Sequence, residues 1–418
     1  MSIRTLINPN AREILDGPYP DRTPLRFHRR LPGYEETPLV DAPKLASTLG
    51  VGKVFVKDES TRLGLPAFKV LGASWAVYRA LEERLGENFG GWEEIWELEE
   101  RLEPLRPLSL VAATDGNHGR AVARVARLLG LGAKIFVPGD MATARREAIA
   151  SEDAEVIVVD GTYDEAVERS AEEAGERGLV ISDMSWPGYE RVPSWVIEGY
   201  STMLWEIDDE LERRNEAGPD LVVVQVGVGA FAAAVARHFR SPGASPRPKL
   251  ISVEPASADC LLESVEAGSI VSVPGPHDSI MSGLNCGRLS LVAWPTVSRG
   301  IDLLVAVDDE PAHDAMRLAA DSGVVSGETA AAGPRCIGGS ATQPSRAGWR
   351  SCGPGERRRA GRLALAGRPV SCSSTARAQP TLMPTGGSSR RSPTLLLAPH
   401  FHGDRLCRDR LRGNKPRG

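Results

Sequence analysis

From about residue 37 to residue 333, short runs rich in β-forming residues alternate with helical stretches, and this alternation limits the fold more than any other feature. Strands are predicted for seven runs: VGKVFVKD, LSLVAAT, AKIFVPG, AEVIVVD, LVVVQV, KLISVEP and IDLLVAV. Amphipathic segments such as RAVARVARLLG (120–130) lie between them. Strands that alternate with helices are typical of α/β layers around mostly parallel sheets. A continuous apolar run such as LVVVQV indicates a strand that is covered on both faces.

Size and composition are those of an ordinary globular protein. The 418 residues are 41% hydrophobic and 25% charged, which suffices for a large core, and the length allows two or three domains of about 150 residues. We expect no membrane span, because no apolar run reaches about 18 residues. The opening MSIRTLINPNAREILDG lacks the apolar stretch of a signal peptide, which favours the cytoplasm. No Cys/His cluster has metal-site spacing, so no metal is expected.

The pattern ends after Gly333, where Gly, Pro, Ser and Arg dominate. Residues 334–418 contain sixteen Arg and one Lys against three acidic residues, a charge of +14, so the rest of the chain carries −19. One interpretation is a disordered basic tail that contacts nucleic acid. The other, which we prefer, is a displaced reading frame. Read one base early, the codons of ARAQPTLMPTGG (376–387) permit GATDLDAYRR, which is a more protein-like loop.

The segment AFKVLGA (67–73) places Lys69 between Phe68 and Val70 at the expected start of a helix. Desolvation disfavours an ammonium, so a lysine in apolar company has a lowered pKa and can form a Schiff base. The alternative is an ordinary surface lysine at the start of a helix. Taken alone, the motif favours that simpler reading.

The segment TDGNHG (114–119) follows the strand LSLVAAT and precedes a helix. Two glycines at such a junction present backbone N–H groups to an anion and display Asp115, Asn117 and His118. An ordinary Asp-Gly turn with an Asn cap is the alternative.

The segment VGVGAF (226–231) follows LVVVQV and precedes the helix AAAVARHF. Its glycines allow the backbone to approach a phosphate, and the helix dipole favours the negative charge. A dinucleotide site is the competing interpretation, but the third glycine of that fingerprint is missing. A mononucleotide-sized phosphate fits better.

Taken together, these three segments resemble the fold type II pyridoxal phosphate enzymes of the tryptophan synthase β superfamily. Within that group the chain is most similar to the diaminopropionate ammonia-lyases. The resemblance covers roughly residues 10–333. It is carried by VKDES-x-R-x-GL-x-AFK (56–69), TDGNHGR (114–120), TYDEAV (162–167), WPGYERVPSWVIEGY (186–200), GVGA (227–230), VEP-x-x-ADC (253–260), IMSGLNCG (280–287) and SGETAAAG (326–333).

The resemblance implies α,β-elimination of 2,3-diaminopropionate to pyruvate and ammonia. Lys69 would hold pyridoxal 5'-phosphate and take the α-proton of one enantiomer, and Asp115 would take that of the other. Asp183 would assist proton transfer to the leaving β-amine, although a turn-forming Asp explains that residue as well. Asn117 would contact the ring oxygen. The backbone amides that would hold the phosphate are those of Gly227, Val228, Gly229 and Ala230.

The resemblance also implies a homodimer with two α/β domains: a large one from 1–75 and 190–333, and a small one from 76–189. Residues 334–418 would be an aberrant, disordered basic tail, with the last strand and helix of the large domain missing. We therefore expect the printed chain to fold poorly or to be inactive. Two alternatives stay open: a serine or threonine dehydratase of the same fold, and a non-catalytic protein whose basic tail binds nucleic acid.

Overall fold

The computed structural model describes residues 3–114, 116–322, 324, 327, 329 and 393–400. The strands are β1 Ile3–Ile7, β2 Leu39–Asp41, β3 Lys53–Asp58, β4 Ser109–Ala113, β5 Gly132–Pro138, β6 Glu155–Val159, β7 Gly178–Val180, β8 Leu221–Gln225, β9 Lys249–Pro255, β10 Leu303–Val307 and β11 Thr394–His400. The α-helices are α1 Thr23–His28, α2 Pro43–Leu49, α3 Lys69–Leu85, α4 Ile95–Arg101, α5 Asn117–Leu128, α6 Thr143–Ala150, α7 Tyr163–Ala171, α8 Arg191–Gly199, α9 Ser201–Arg213, α10 Ala230–Arg240, α11 Cys260–Ala267, α12 Trp294–Gly300 and α13 Asp309–Asp321.

Two sheets organise the described part of the chain. The larger has the strand order β1-β10-β9-β8-β11-β3-β2, and only its two outer strands, β1 and β2, run antiparallel to their neighbours. The smaller has the order β6-β5-β4-β7 and is parallel throughout. All seven strands predicted from the sequence are present. The predicted fold class, α/β with mostly parallel sheets flanked by helices, is thereby confirmed.

Strand β11 corrects the expectation that the last strand of the large domain is missing. It lies between β8 and β3 and runs parallel to both, with Leu396 opposite Val222 on one side and Phe55 on the other. Leu395, Leu396 and Leu397 are buried. This strand has no clear sequence signal, because three leucines form too short an apolar run to stand out in a basic stretch. The remainder of 334–418, including the predicted nucleic-acid contact, lies outside the described residues.

Helix α3 connects the regions of the two sheets and begins at Lys69. Ten of its 17 residues are buried, and it packs mainly against α8 and α5. Gly86 ends it in the left-handed conformation with φ +69°, which costs glycine little. The predicted domain boundary at 75/76 therefore falls inside one continuous helix. In the described part of the chain, no helix is both long and apolar enough to cross a bilayer.

Candidate active site

One cleft in the described structure collects the three segments that the sequence singled out. It encloses about 1440 Å³ of space open to solvent, which is ample for a cofactor together with an amino acid. Its walls combine Lys69 of α3, the loop before α5, Asp183 after β7 and the loop between β8 and α10. Residues distant in sequence thus meet at one opening between the loops of the two sheets.

Lys69 projects into this cleft from the first turn of α3. Its neighbours Phe68 and Val70 are buried, while the Lys69 side chain keeps 23% of its surface exposed. The apolar surroundings that the motif predicts are therefore present only on the side of Phe68 and Val70. On the other side, Nζ donates to Oδ2 of Asp183 at a distance of 2.7 Å. The local pattern around Lys69 does not show this contact, because the two residues are 114 positions apart; only the family resemblance placed Asp183 at the same site.

The Asp183 side chain lines the cleft but is nearly buried, with 6% of its surface exposed. Burial by itself raises the pKa of a carboxyl group. Here the Lys69 ammonium, helped by the nearby His118 ring, outweighs burial and lowers the pKa of Asp183 to about 2. His118 is fixed by a 2.9 Å hydrogen bond between Nε2 and the carbonyl oxygen of Ile181. Asp183 is therefore a carboxylate throughout the physiological range of pH.

A buried ionic cluster fixes the segment that leads from β3 to Lys69. Lys57 Nζ lies 2.7 Å from Glu206 Oε2, and Arg62 lies 2.7 Å from Glu59 and 2.6 Å from Glu206. All four side chains are at most 1% exposed. Paired charges at such depth are costly to break, since the remaining partner stays buried without a counter-ion. Lys57, Glu59 and Arg62 of VKDES-x-R thus have a structural explanation.

The TDGNHG loop turns from β4 into α5 at the cleft. Thr114 Oγ1 accepts a hydrogen bond from the Gly116 backbone N–H at 2.8 Å, and Asn117 follows as the first residue of α5. A Cβ on Gly119 would lie 2.3 Å from the Thr114 side chain, so only glycine fits there. Asn117 lines the cleft as predicted. The predicted base Asp115 lies outside the described residues.

The loop of residues 227–230 forms a cradle between β8 and α10. Gly229 adopts φ +89° immediately before the first residue of α10, Ala230. A Cβ on Gly227 would lie 3.2 Å from Cys286 Sγ and from the carbonyl oxygen of Gly283. No side chain of Gly227 or Gly229 covers the backbone just before α10. The backbone N–H groups at the N-terminus of a helix attract a phosphate. This cradle fits the phosphate end of the predicted cofactor.

The structure adds cleft residues to which sequence reasoning gave no role. Ser282, Gly283 and Asn285 of the IMSGLNCG motif line one wall, and Arg120 and Arg145 line another. IMSGLNCG and Arg120 of TDGNHGR belong to segments that carry the family resemblance, whereas Arg145 has no distinguishing sequence pattern. Arg120 lies in α5 and Arg145 in α6, so the packing of these helices brings the two side chains to the cleft.

Comparisons with known proteins agree with this site. Residues 30–341 match the family model described as pyridoxal-phosphate dependent enzyme. The diaminopropionate ammonia-lyase of Salmonella typhimurium is 36% identical over 319 residues, 74% of this chain and 79% of the relative. That of Escherichia coli is 35% identical over 317 residues, 74% of this chain and 78% of the relative.

A solved structure of the Escherichia coli enzyme, in complex with an aminoacrylate-PLP azomethine reaction intermediate, superposes with a TM-score of 0.78. It has 27% sequence identity and covers 98% of this chain and 96% of that one. The chain therefore belongs to the pyridoxal-phosphate dependent enzymes and, within them, to the diaminopropionate ammonia-lyases. The family expected from the sequence motifs is confirmed.

Proposed function

We propose that the protein catalyses the α,β-elimination of 2,3-diaminopropionate to pyruvate and ammonia with pyridoxal 5'-phosphate. The observation that carries this proposal is the 2.7 Å contact between Lys69 Nζ and Asp183 Oδ2 in a cleft that also contains the glycine cradle. The names of the relatives support the choice of substrate over that of a serine or threonine dehydratase. Their extensive match also argues against a non-catalytic protein that binds nucleic acid.

The residues of the cleft fit the cofactor. The backbone amides of residues 227–230 would hold its phosphate, Asn117 would contact its ring oxygen, and Lys69 would bond to its aldehyde carbon. When bound, the cofactor delocalises the electron pair left at Cα after the proton departs. The protein supplies orientation and the groups that carry protons.

Proton transfer falls to three side chains in this proposal. Nζ of Lys69 takes the α-proton from one enantiomer, and a carboxylate oxygen of Asp115 takes it from the other. Asp183 is ionised in the ligand-free protein, where its carboxylate accepts a hydrogen bond from the Lys69 ammonium. It can give a proton to the leaving β-amine only after it has received one from Lys69.

The wider organisation is also part of the proposal. A large domain (1–75 and 190–333) and a small one (76–189) would enclose the cleft, in a cytoplasmic homodimer. The larger sheet and the smaller sheet draw their strands from these two regions respectively, apart from β11. Light scattering on the purified protein tests the dimer.

We further propose that the reading frame is displaced after about Gly333. The sixteen arginines of 334–418 and the absence of any helical period there support this. Sequencing the coding DNA across codons 325–390 tests the frame. A coding sequence that yields the printed residues without an interruption contradicts it.

Borohydride reduction of the holoprotein followed by peptide mass spectrometry tests the cofactor site, with label expected on Lys69. Pyruvate release from 2,3-diaminopropionate, compared with threonine and serine, tests the substrate. Activity on threonine alone would favour the dehydratase. Salt-sensitive DNA binding that disappears on deletion of residues 334–418, without any pyruvate release, would favour the non-catalytic alternative.

A further inference from the structure

The phenol of Tyr200 is a buried polar group that the proposed reaction leaves unused. The Tyr200 residue has no exposed surface, and its hydroxyl oxygen makes no hydrogen bond of regular geometry among the described residues, although the Lys69 side chain is near enough to interact with it. Its ring centroid lies 6.0 Å from Lys69 Nζ. A buried hydroxyl without a partner costs about 1–3 kcal/mol. We therefore expect the Tyr200 hydroxyl, which lies next to the Lys69 amine, to form a hydrogen bond in some state of the protein.

The position of Tyr200 is built by two glycines on neighbouring helices. A Cβ on Gly199 of α8 would lie 2.9 Å from the Cα of Gly72 on α3, so the two helices touch at these residues. Tyr200 follows Gly199 directly, and a Cβ on Gly72 would lie 2.5 Å from its ring. Gly72 is three residues after Lys69. The crossing therefore sets the phenol ring against the turn of α3 that carries the lysine.

Aromatic neighbours leave the ring little freedom to move away. The Tyr200 ring packs edge-on against Phe68 at 4.9 Å between centroids and against Phe231 at 6.1 Å. Phe68 directly precedes Lys69, and Phe231 lies in the first turn of α10 beyond the glycine cradle. The ring is thus locked between the two segments that would hold opposite ends of the cofactor.

The charges around Tyr200 keep its hydroxyl protonated. Burial raises the pKa of the phenol far above its ordinary value and the Asp183 carboxylate adds to that rise, whereas the Lys69 ammonium opposes it through its charge and its hydrogen-bonding contact with the hydroxyl. A neutral phenol can both donate and accept a hydrogen bond. Lys69 carries three donors as an ammonium, of which one is directed at Asp183.

We propose that the Tyr200 hydroxyl is a positioning residue for Lys69: it receives the ε-amine when that amine leaves Asp183, and directs Nζ toward the cofactor aldehyde and the substrate Cα. This inference deepens the proposed function and rests on it. Asp183 and Tyr200 would then be the two alternative docking points of one swinging side chain.

Tyr200→Phe tests the proposal, because it removes the hydroxyl and keeps the ring that packs against Gly72. Tyr189→Phe is the matched control. The Tyr189 hydroxyl also lies near Asp183, but it is already paired, donating to the Val180 carbonyl oxygen at 2.7 Å and accepting from the Ser182 N–H at 3.1 Å. Tyr200→Phe removes a hydroxyl that has no hydrogen bond of regular geometry, whereas Tyr189→Phe removes one that has two.

Three measurements separate positioning from packing. The first is the rate at which the cofactor-free full chain regains the visible absorbance of lysine-bound cofactor when pyridoxal phosphate is added. The others are kcat and KM on 2,3-diaminopropionate, and the Tm of the cofactor-free protein. For Tyr200→Phe we expect attachment and kcat each to fall at least about 10-fold, KM to change less than about two-fold, and the Tm to stay equal or rise.

Tyr189→Phe is expected to show the reverse pattern: a lower Tm, with attachment within about two-fold of the unmodified protein. The proposal is overturned if Tyr200→Phe attaches the cofactor at the normal rate, or if its losses come with a fall in Tm as large as that of Tyr189→Phe. Attachment is followed with pyridoxal phosphate alone. If the proposed function is wrong, the unmodified protein would attach the cofactor normally but release no pyruvate from 2,3-diaminopropionate, and this outcome is distinct from a failure of the Tyr200 proposal.

Discussion

Lys69 and Asp183 form an ion pair of 2.7 Å in the cleft, and they come from different layers of the protein. Lys69 is the first residue of α3, the α-helix that comes after β3 of the larger sheet. Asp183 comes shortly after β7 of the smaller sheet. The pair therefore exists only when both sheets are in place. A relative shift of the two sheets would separate the amine from its carboxylate.

Removing the Asp183 charge should impair catalysis without unfolding the protein. We expect Asp183→Asn to lower kcat about 100-fold, because a positioned acid or base contributes roughly that much or more. Pyruvate release measures the effect. The control is Asp208→Asn, which alters a carboxylate paired with His238 away from the cleft; its kcat should be unchanged. A normal kcat in Asp183→Asn would show that the carboxylate only fills space.

A distorted glycine cradle should weaken cofactor binding. Gly229 has φ +89°, and an added Cβ would lie 3.2 Å from Leu289 and 3.3 Å from Ala293. We expect Gly229→Ala to raise the Kd for pyridoxal phosphate at least about 10-fold, equivalent to about 1.4 kcal/mol. Titration of the cofactor-free protein by absorbance measures this Kd.

Gly268→Ala is the control for backbone strain in the cradle experiment. Gly268 also has a positive φ, +74°, but it ends α11 in open space. Its replacement should lower stability by about 1 kcal/mol and leave the Kd unchanged. Equal effects of the two substitutions on the Kd would contradict a phosphate site at Gly229.

Strand β11 should be necessary for stability. Leu396 is 2% exposed between two parallel neighbours, so Leu396→Ala should lower the free energy of unfolding by about 2–5 kcal/mol. Urea denaturation measures it. Ile7→Ala removes an apolar side chain that is 81% exposed and should change stability by less than about 0.5 kcal/mol. If Leu396→Ala is as silent as Ile7→Ala, the segment does not occupy the sheet.

Stability should fall with rising pH because of Glu254. Burial raises the pKa of Glu254 to about 8, although the backbone N–H groups of Leu261 and Leu262 oppose the rise. Between the ordinary carboxyl range and pH 8 the folded protein holds a proton that the unfolded chain releases. The free energy of unfolding therefore loses up to about 1.4 kcal/mol per pH unit in that window.

Glu254→Gln removes this titration and should flatten the pH dependence between pH 5 and 8 by up to about that amount per unit. Urea denaturation at a series of pH values measures the slope. Glu263→Gln alters an exposed carboxylate on the adjacent helix and should leave the slope as it is. An unchanged slope in Glu254→Gln would show that the buried carboxyl is ionised in the folded state.

The sequence by itself determined the layered α/β fold, the seven strands with continuous apolar runs, and the lysine and glycine motifs at helix starts. These features are local, since periodicity, glycine spacing and flanking apolar residues act over a few positions. Strands β1, β2, β7 and β11 escaped detection because they are short or carry no regular pattern. Only sheet pairing defines them.

The tertiary structure decided which polar groups of the site touch one another. The contact of Lys69 with Asp183, the burial of Tyr200 at the crossing of α3 and α8, and the insertion of Leu396 between β8 and β3 each join segments more than 100 residues apart in the chain. Such contacts depend on the packing of whole sheets and helices. Patterns among neighbouring residues in the sequence do not predict that packing.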